Sequence, residues 1–248
     1  MTLVERLRAA GCVFAEEEAA LLEETARGEA LEALAQRRIS GEPLEVVLGW
    51  AGFRGLRIAI DPGVFVPRRR TELLVELAVP LARAGEAPRI LDLCCGSGAV
   101  GAALRAEVPG ALVIGAELDH AAVLCARRNL PEVVEGDLFS PLAAGSRFDL
   151  VIVNAPYVPT EAIGLMPPEA RLYEPLVALD GGDDGLDLHR RVAAESGAWL
   201  APGGTVIIET SREQALRTAA AFETNGFDAR VEHSEELDGT AVVATLAR

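Results

Sequence analysis

Residues 148–157, Phe-Asp-Leu-Val-Ile-Val-Asn-Ala-Pro-Tyr, run from strand-forming apolar residues into an amide, a proline and an aromatic ring. Asn154 offers a side-chain carbonyl acceptor and Ala155 a backbone one, while Pro156 fixes the turn and biases Ala155 towards an extended conformation. Two acceptors beside the ring of Tyr157 suit a planar NH2 group, although a strand followed by an Asx-type turn fits the same four residues.

Three carboxylates extend this chemistry. Residues 89–98 (Arg-Ile-Leu-Asp-Leu-Cys-Cys-Gly-Ser-Gly) read as a short strand running into a glycine turn, with Asp92 at the strand end and a helix from Ala99. Gly96, Gly98 and Gly101 fit the G-x-G-x-x-G spacing of a dinucleotide site. The acid before the turn suits a cationic or ammonium-bearing ligand better than a phosphate. Glu117 closes the strand 112–116 about twenty residues beyond the glycines, where an acid can take both hydroxyls of a ribose. Asp137 follows the next strand. Acids at three successive strand ends fit adenosine carrying an amino acid and no phosphate.

These residues need a parallel α/β sheet to position them. Residues 148–153 suit its central strand, covered on both faces, with the ligand beyond the carboxyl ends. Strands at 205–209, 228–231 and 241–246 and a helix at 213–225 complete an alternating pattern. Residues 158–185, rich in Pro and Gly, read as a functional loop or lid. From Arg70-Thr71-Glu72 the spacing predicts a helix with Leu73, Leu74, Leu77 and Leu81 on its buried face and Thr71 as its cap. A hairpin with alternation at Leu56, Ile58 and Ile60 precedes it. Residues 2–38 have helical spacing punctuated by Gly11 and Gly28, a three-helix unit whose acids Glu16, Glu17, Glu18, Glu23 and Glu24 read as a solvated face. The domains expected are 1–40 helical, 41–70 hairpin linker and 71–248 the α/β unit.

Composition removes several functions. The 248 residues carry 23 basic and 38 acidic side chains, a net charge of −15, and no lysine, which excludes Schiff-base chemistry and a Walker P-loop lysine. Such a chain is a poor general nucleic-acid binder, the patch Arg68-Arg69-Arg70 aside. Cys12, Cys94, Cys95 and Cys125 lack metal-site spacing and read as free thiols of a reducing compartment. His120, His189 and His233 read as surface or packing residues. No leader or long apolar run is evident, and the expected location is cytoplasmic.

Over residues 41–248 the chain resembles the S-adenosylmethionine-dependent, class I HemK/PrmC-type protein-(glutamine-N5) methyltransferases. Its Gly41-Glu42-Pro43, Gly49 and Phe53-Arg54-Gly55-Leu56 look like that family's linker. Pro67-Arg68-Arg69-Arg70-Thr71-Glu72 looks like its Pro-Arg-x-x-Thr-Glu signature. Asn154-Ala155-Pro156-Tyr157 stands where the family has Asn-Pro-Pro-Tyr, and Glu174-Pro175, Ala178-Leu179, Gly181-Gly182 and Gly185-Leu186 match its next segment. Ala155 in place of proline keeps the backbone carbonyl and loses rigidity at φ. Cys94-Cys95 stand in for Gly-Thr, which makes the turn less permissive.

The resemblance implies a Rossmann-like seven-stranded sheet with the last strand antiparallel and a small N-terminal helical domain. It implies S-adenosylmethionine held by Arg68, Thr71, Asp92, Cys94, Cys95, Gly96, Ser97, Gly98, Glu117, Leu118, Asp137, Leu138 and Asn154. It places the chemistry at Asn154, Ala155, Pro156 and Tyr157, and makes the acceptor a glutamine of a peptide chain release factor, with no metal and neither membrane nor nucleic acid as partner. DNA adenine-N6 methylation, in which a flipped base presents the amino group, and non-catalytic cofactor binding are the alternatives.

Overall fold

The computed structural model describes residues 1–247. Strands β3 (Arg89–Leu93), β4 (Leu112–Glu117), β5 (Val133–Glu135), β6 (Phe148–Val153), β7 (Leu200–Glu209), β8 (Phe227–Ser234) and β9 (Gly239–Leu246) form one sheet in the order β5-β4-β3-β6-β7-β9-β8. The first five of that order are parallel, and β9, last in the chain, runs antiparallel to both β7 and β8. This is the expected architecture, with β6 fourth of the seven strands. Its residues Leu150, Val151, Ile152 and Val153 are all buried, because helices cover both faces and leave no strand face for polar residues.

One face packs on α5 (Glu72–Ala82) and α6 (Ala99–Glu107), and the other on α9 (Asp187–Ser196) and α10 (Ala215–Thr224). Helix α7 (His120–Ala126) starts with Asp119 as its cap, the carboxylate accepting from the N–H groups of Ala121 and Ala122. The spacing gives no sign of helix α9, because its buried side mixes Val192 and Ala193 with the polar His189 and Ser196.

Helix α5 differs from its sequence reading in two ways. Its buried face is Leu73, Leu74, Val75, Ala78, Val79 and Ala82, with Leu81 exposed, because neighbours three and four apart set the stripe. Thr71 ends a 3-10 turn (Arg69–Thr71) in helical conformation, so its hydroxyl makes no cap bond. That leaves the hydroxyl available for the site.

Helices α1 (Leu3–Ala9), α2 (Ala15–Thr25) and α3 (Gly28–Ile39) enclose a small core of Leu7, Ala15, Ala19 and Leu22, closed by Val47 of α4 (Leu44–Leu48). A hairpin of β1 (Trp50–Phe53) and β2 (Leu56–Ala59) follows. The acidic face of α2 is not wholly solvated. Glu18 is buried and takes a two-point bond from Arg38, at 2.6 and 3.1 Å. The segment after Tyr157 is more ordered than a loop: it carries 3-10 turns at Thr160–Leu165 and Leu176–Ala178 around α8 (Pro168–Tyr173). Among the described residues no helix is long and apolar enough to cross a membrane.

Candidate active site

The carboxyl ends of β3, β4 and β6 open into a cavity of about 630 Å³, within the range of small-molecule sites. Its wall contains Arg68, Thr71, Asp92, Cys94, Cys95, Gly96, Ser97, Glu117, Leu118, Asp137, Leu138, Asn154, Ala155, Pro156 and Tyr157. Every site residue proposed from sequence is therefore in this wall except Gly98. That glycine lies one step behind it, left-handed at φ 78° as the cap of α6, its N–H on the Cys95 carbonyl at 2.7 Å. Its conformation, rather than contact with a ligand, requires glycine.

The turn after β3 is held from the next strand. Glu117 Oε2 accepts from the Gly96 N–H at 2.8 Å, and Oε1 accepts from Leu118 and Asp119 at 2.8 and 2.9 Å. Three of the roughly four acceptor positions of a carboxylate are thus taken by backbone, and a ligand hydroxyl shares what remains. Cys94 adopts φ 57°, a left-handed conformation that glycine takes without strain. Burial pushes the Cys94 and Cys95 thiols upward, and the nearby Glu117 and Asp92 charges add to the rise, so neither is a thiolate nucleophile at neutral pH.

Asp92 is buried at the cavity wall and accepts from the Gly101 N–H at 2.8 Å. A Cβ on Gly101 would stand 3.0 Å from Asp92 Oδ2, so glycine at that position lets the helix approach the strand. Burial raises the Asp92 carboxyl to about 8, with the Glu117 charge adding to it. An acid so placed gains most from a cationic ligand group, which would restore its ionised form. Asp137 is half exposed and pairs with Arg191, an α9 residue of the cavity wall, at 2.8 Å. Sequence reasoning missed Arg191 because the helix itself was not read.

At the end of β6 the Asn154 Nδ2 donates to Thr71 Oγ1 at 3.4 Å, which turns Oδ1 away from Thr71. Among the described residues no donor is bonded to Asn154 Oδ1 or to the Ala155 carbonyl. The Tyr157 hydroxyl donates to Glu209 at 3.0 Å, and its backbone carbonyl accepts from Gln214 Nε2 at 2.9 Å. Tyr157 meets the ring of His189 edge-on, with centroids 6.3 Å apart. His189 is fully buried, bonded to Thr218 at 3.0 Å and lowered to about 4 by burial, so it stays neutral and packs. Arg68 and the Val66 N–H hold the buried Glu174 at 2.6 and 3.1 Å, fastening the segment after α8 beside the cavity.

The arrangement combines a cleft lined by Asp92, Glu117 and Asp137 with the pair of acceptors at Asn154 and Ala155 in its wall. Residues 55–166 match the family model described as "Methyltransferase small domain". The chain is 40% identical over 200 residues to the release factor glutamine methyltransferase of Geobacter sulfurreducens, covering 78% of this chain and 69% of that one. It is 38% identical over 207 residues to that of Streptomyces coelicolor, covering 80% and 74%. Among solved structures, a methyltransferase from Pyrococcus furiosus shares the fold at a TM-score of 0.56 and 17% identity, over 77% of this chain and 88% of that one. A T. thermophilus 16S rRNA methyltransferase, solved with AdoMet and guanosine, does so at 0.59 and 22%, over 80% and 50%. The residues, the fold and the level of identity agree, and the chain belongs to the family of release factor glutamine methyltransferases, class I S-adenosylmethionine-dependent enzymes.

Proposed function

We propose that this chain methylates the side-chain amide nitrogen of a glutamine, that of the Gly-Gly-Gln segment of a peptide chain release factor, in the cytoplasm. The observation that carries the reading is the pair of acceptors, Asn154 Oδ1 and the Ala155 carbonyl, at the cavity wall and bonded to no donor of the described chain. The cavity residues fit S-adenosylmethionine. Asp92 would answer its ammonium, Glu117 its ribose, and Gly96, whose added Cβ would meet no protein atom within 4 Å, leaves room for it against the backbone. When bound, S-adenosylmethionine supplies a methyl group activated by its positively charged sulfur.

A primary amide nitrogen is a weak nucleophile because its lone pair is delocalised into the carbonyl. Asn154 Oδ1 and the Ala155 carbonyl would accept its two N–H hydrogens, aim the nitrogen and stabilise the positive charge that grows on it. Pro156 and Tyr157 line the wall beside them and pack the amide plane. The Tyr157 phenol is no base: burial raises it and the Glu209 charge raises it further, so it keeps its proton. The amide proton therefore leaves to solvent after transfer.

Incubation with radiolabelled S-adenosylmethionine and release factor, a release factor with its Gly-Gly-Gln glutamine replaced, or duplex DNA tests the reading. Label should enter only the first. Label in DNA with none in release factor would replace this reading by adenine methylation.

A further inference from the structure

Among the described residues the cavity wall holds six acids, and its cationic side chains are those of Arg68, Arg70 and Arg191. S-adenosylmethionine brings to this wall a carboxylate beside its ammonium and sulfonium, and the acids repel it. A guanidinium of the wall is the group that can neutralise it. Arg68 bonds Glu174 at 2.6 Å, and with the Glu174 side chain only 2% exposed, turning Arg68 away would leave a buried acid unpaired. Arg191 pairs with Asp137 at 2.8 Å and with Glu195 at 3.5 Å. Arg70 is exposed and forms no hydrogen bond or ion pair with any described residue.

We propose that Arg70 binds the carboxylate of S-adenosylmethionine, a role that rests on the reading of this cavity as the cofactor site. In the signature Pro-Arg-x-x-Thr-Glu, Arg70 fills a variable place, so the resemblance gives it no part. Its position suits the task. Thr71, the next residue, lies 3.4 Å from Asn154 Nδ2, and β3 pairs Leu93 with Val153, so Asp92 and Asn154 flank adjoining strand ends. The α-carbon of the cofactor is two methylenes from its sulfur, so a methyl aimed at Asn154 and an ammonium on Asp92 keep the carboxylate in the same corner. The backbone of the turn is pinned there. The Thr71 N–H donates to the Arg68 carbonyl at 3.0 Å, and a Cβ on Gly239 would stand 2.8 Å from the Arg70 carbonyl oxygen. A guanidinium fork meets both oxygens of a carboxylate. With the ammonium on Asp92 and the carboxylate on Arg70, the α-carbon is fixed at two points, and so is the direction of the chain that leads to the sulfur.

The test is calorimetry on the full chain with S-adenosylmethionine and with its decarboxylated form, which keeps the ammonium and the sulfonium. Arg70→Met should weaken the intact cofactor about tenfold, 1.4 kcal/mol, and leave the decarboxylated form bound as tightly as before or more so. Arg70→Lys should regain part of the loss, since an ammonium keeps the charge without the fork. Arg69→Met is the control. Arg69 is exposed, faces Glu236 at 3.9 Å and lies outside the cavity wall, so both ligands should stay within about twofold, its charge being screened by salt. Arg70 makes no bond within the fold, and Arg70→Met should melt where the parent does. Equal weakening of the two ligands by Arg70→Met, or weakening of neither, overturns the inference. So does an unchanged cofactor affinity with a raised release-factor KM, which would give Arg70 to an acid of the acceptor protein. Failure of the release-factor reading is separate: it appears as a parent chain that labels no release factor, and the comparison of the two ligands, which needs no acceptor, still decides the role of Arg70.

Discussion

At the scale of single residues, the site contains two side chains held against their preference. Asp92 is an acid raised to about 8 by burial, far above the usual carboxylate near 3.9. Because the folded chain keeps a proton that the unfolded chain releases, the unliganded protein should lose stability as pH rises from about 4 to about 8, and no further above that. Binding of an ammonium group runs the other way, since it needs the ionised form. Calorimetry across this range should show cofactor affinity rising up to about 8 and then levelling. Asp92→Asn should be more stable than the parent at alkaline pH and bind weakly at every pH. Affinity flat with pH would separate Asp92 from the cofactor. Cys94 is the second case, at φ 57°. Cys94→Gly relieves a left-handed strain of about 1–2 kcal/mol, partly offset by the freedom glycine gains in the unfolded chain. The melting temperature should rise by about 1–4 °C, and Cys94→Ala, which keeps the Cβ, should give no such rise.

At the scale of elements, what was legible in the sequence was whatever one strand and its following turn encode. The apolar run 148–153 could be read as a central strand because only a strand buried on both faces tolerates it, and the acids at 92 and 117 announced themselves by ending similar runs. Glu209 ends the run Thr-Val-Ile-Ile in the same manner, yet the bond it takes from the Tyr157 hydroxyl depends on pairing between β6 and β7, which no local pattern specifies. Helix α9, and with it Arg191, was hidden by a buried side that includes the polar His189 and Ser196. The turn after β6 carries its own prediction. The Ala155 N–H donates to no described residue, so proline there would remove no bond. Ala155→Pro should leave turnover within about tenfold of the parent. Asn154→Ala removes one of two acceptors and should cost on the order of 10²–10³ in kcat. Equal activity of the parent and Asn154→Ala would place the chemistry elsewhere, and activity that appears only in Ala155→Pro would make the parent a binding protein.

At the scale of the whole molecule, the N-terminal helices and the segment after the active-site turn meet at one buried guanidinium. Arg38 holds Glu18 of α2 at 2.6 Å, the Glu42 carbonyl at 3.1 Å and Glu169 of α8 at 2.5 Å, and the Tyr173 hydroxyl donates to the Ser40 carbonyl at 3.3 Å nearby. Burial works against the Arg38 charge, but Glu18 and Glu169 more than offset it and raise the group. The two bonds have unequal weight. Glu18 is 8% exposed, so Arg38→Met would leave a buried carboxylate unpaired and should destabilise the chain by about 3–5 kcal/mol in urea unfolding. The Glu169 side chain is 50% exposed, so Glu169→Gln should cost no more than about 1 kcal/mol. That difference lets stability be separated from recognition. If the helical unit serves to hold α8 in place for a protein acceptor, Glu169→Gln should raise the release-factor KM several-fold while cofactor affinity, which in the proposed reading depends on Asp92 and Glu117, stays within about twofold, a shift below 0.5 kcal/mol. A parent-like release-factor KM in Glu169→Gln would assign the Arg38 junction to folding alone.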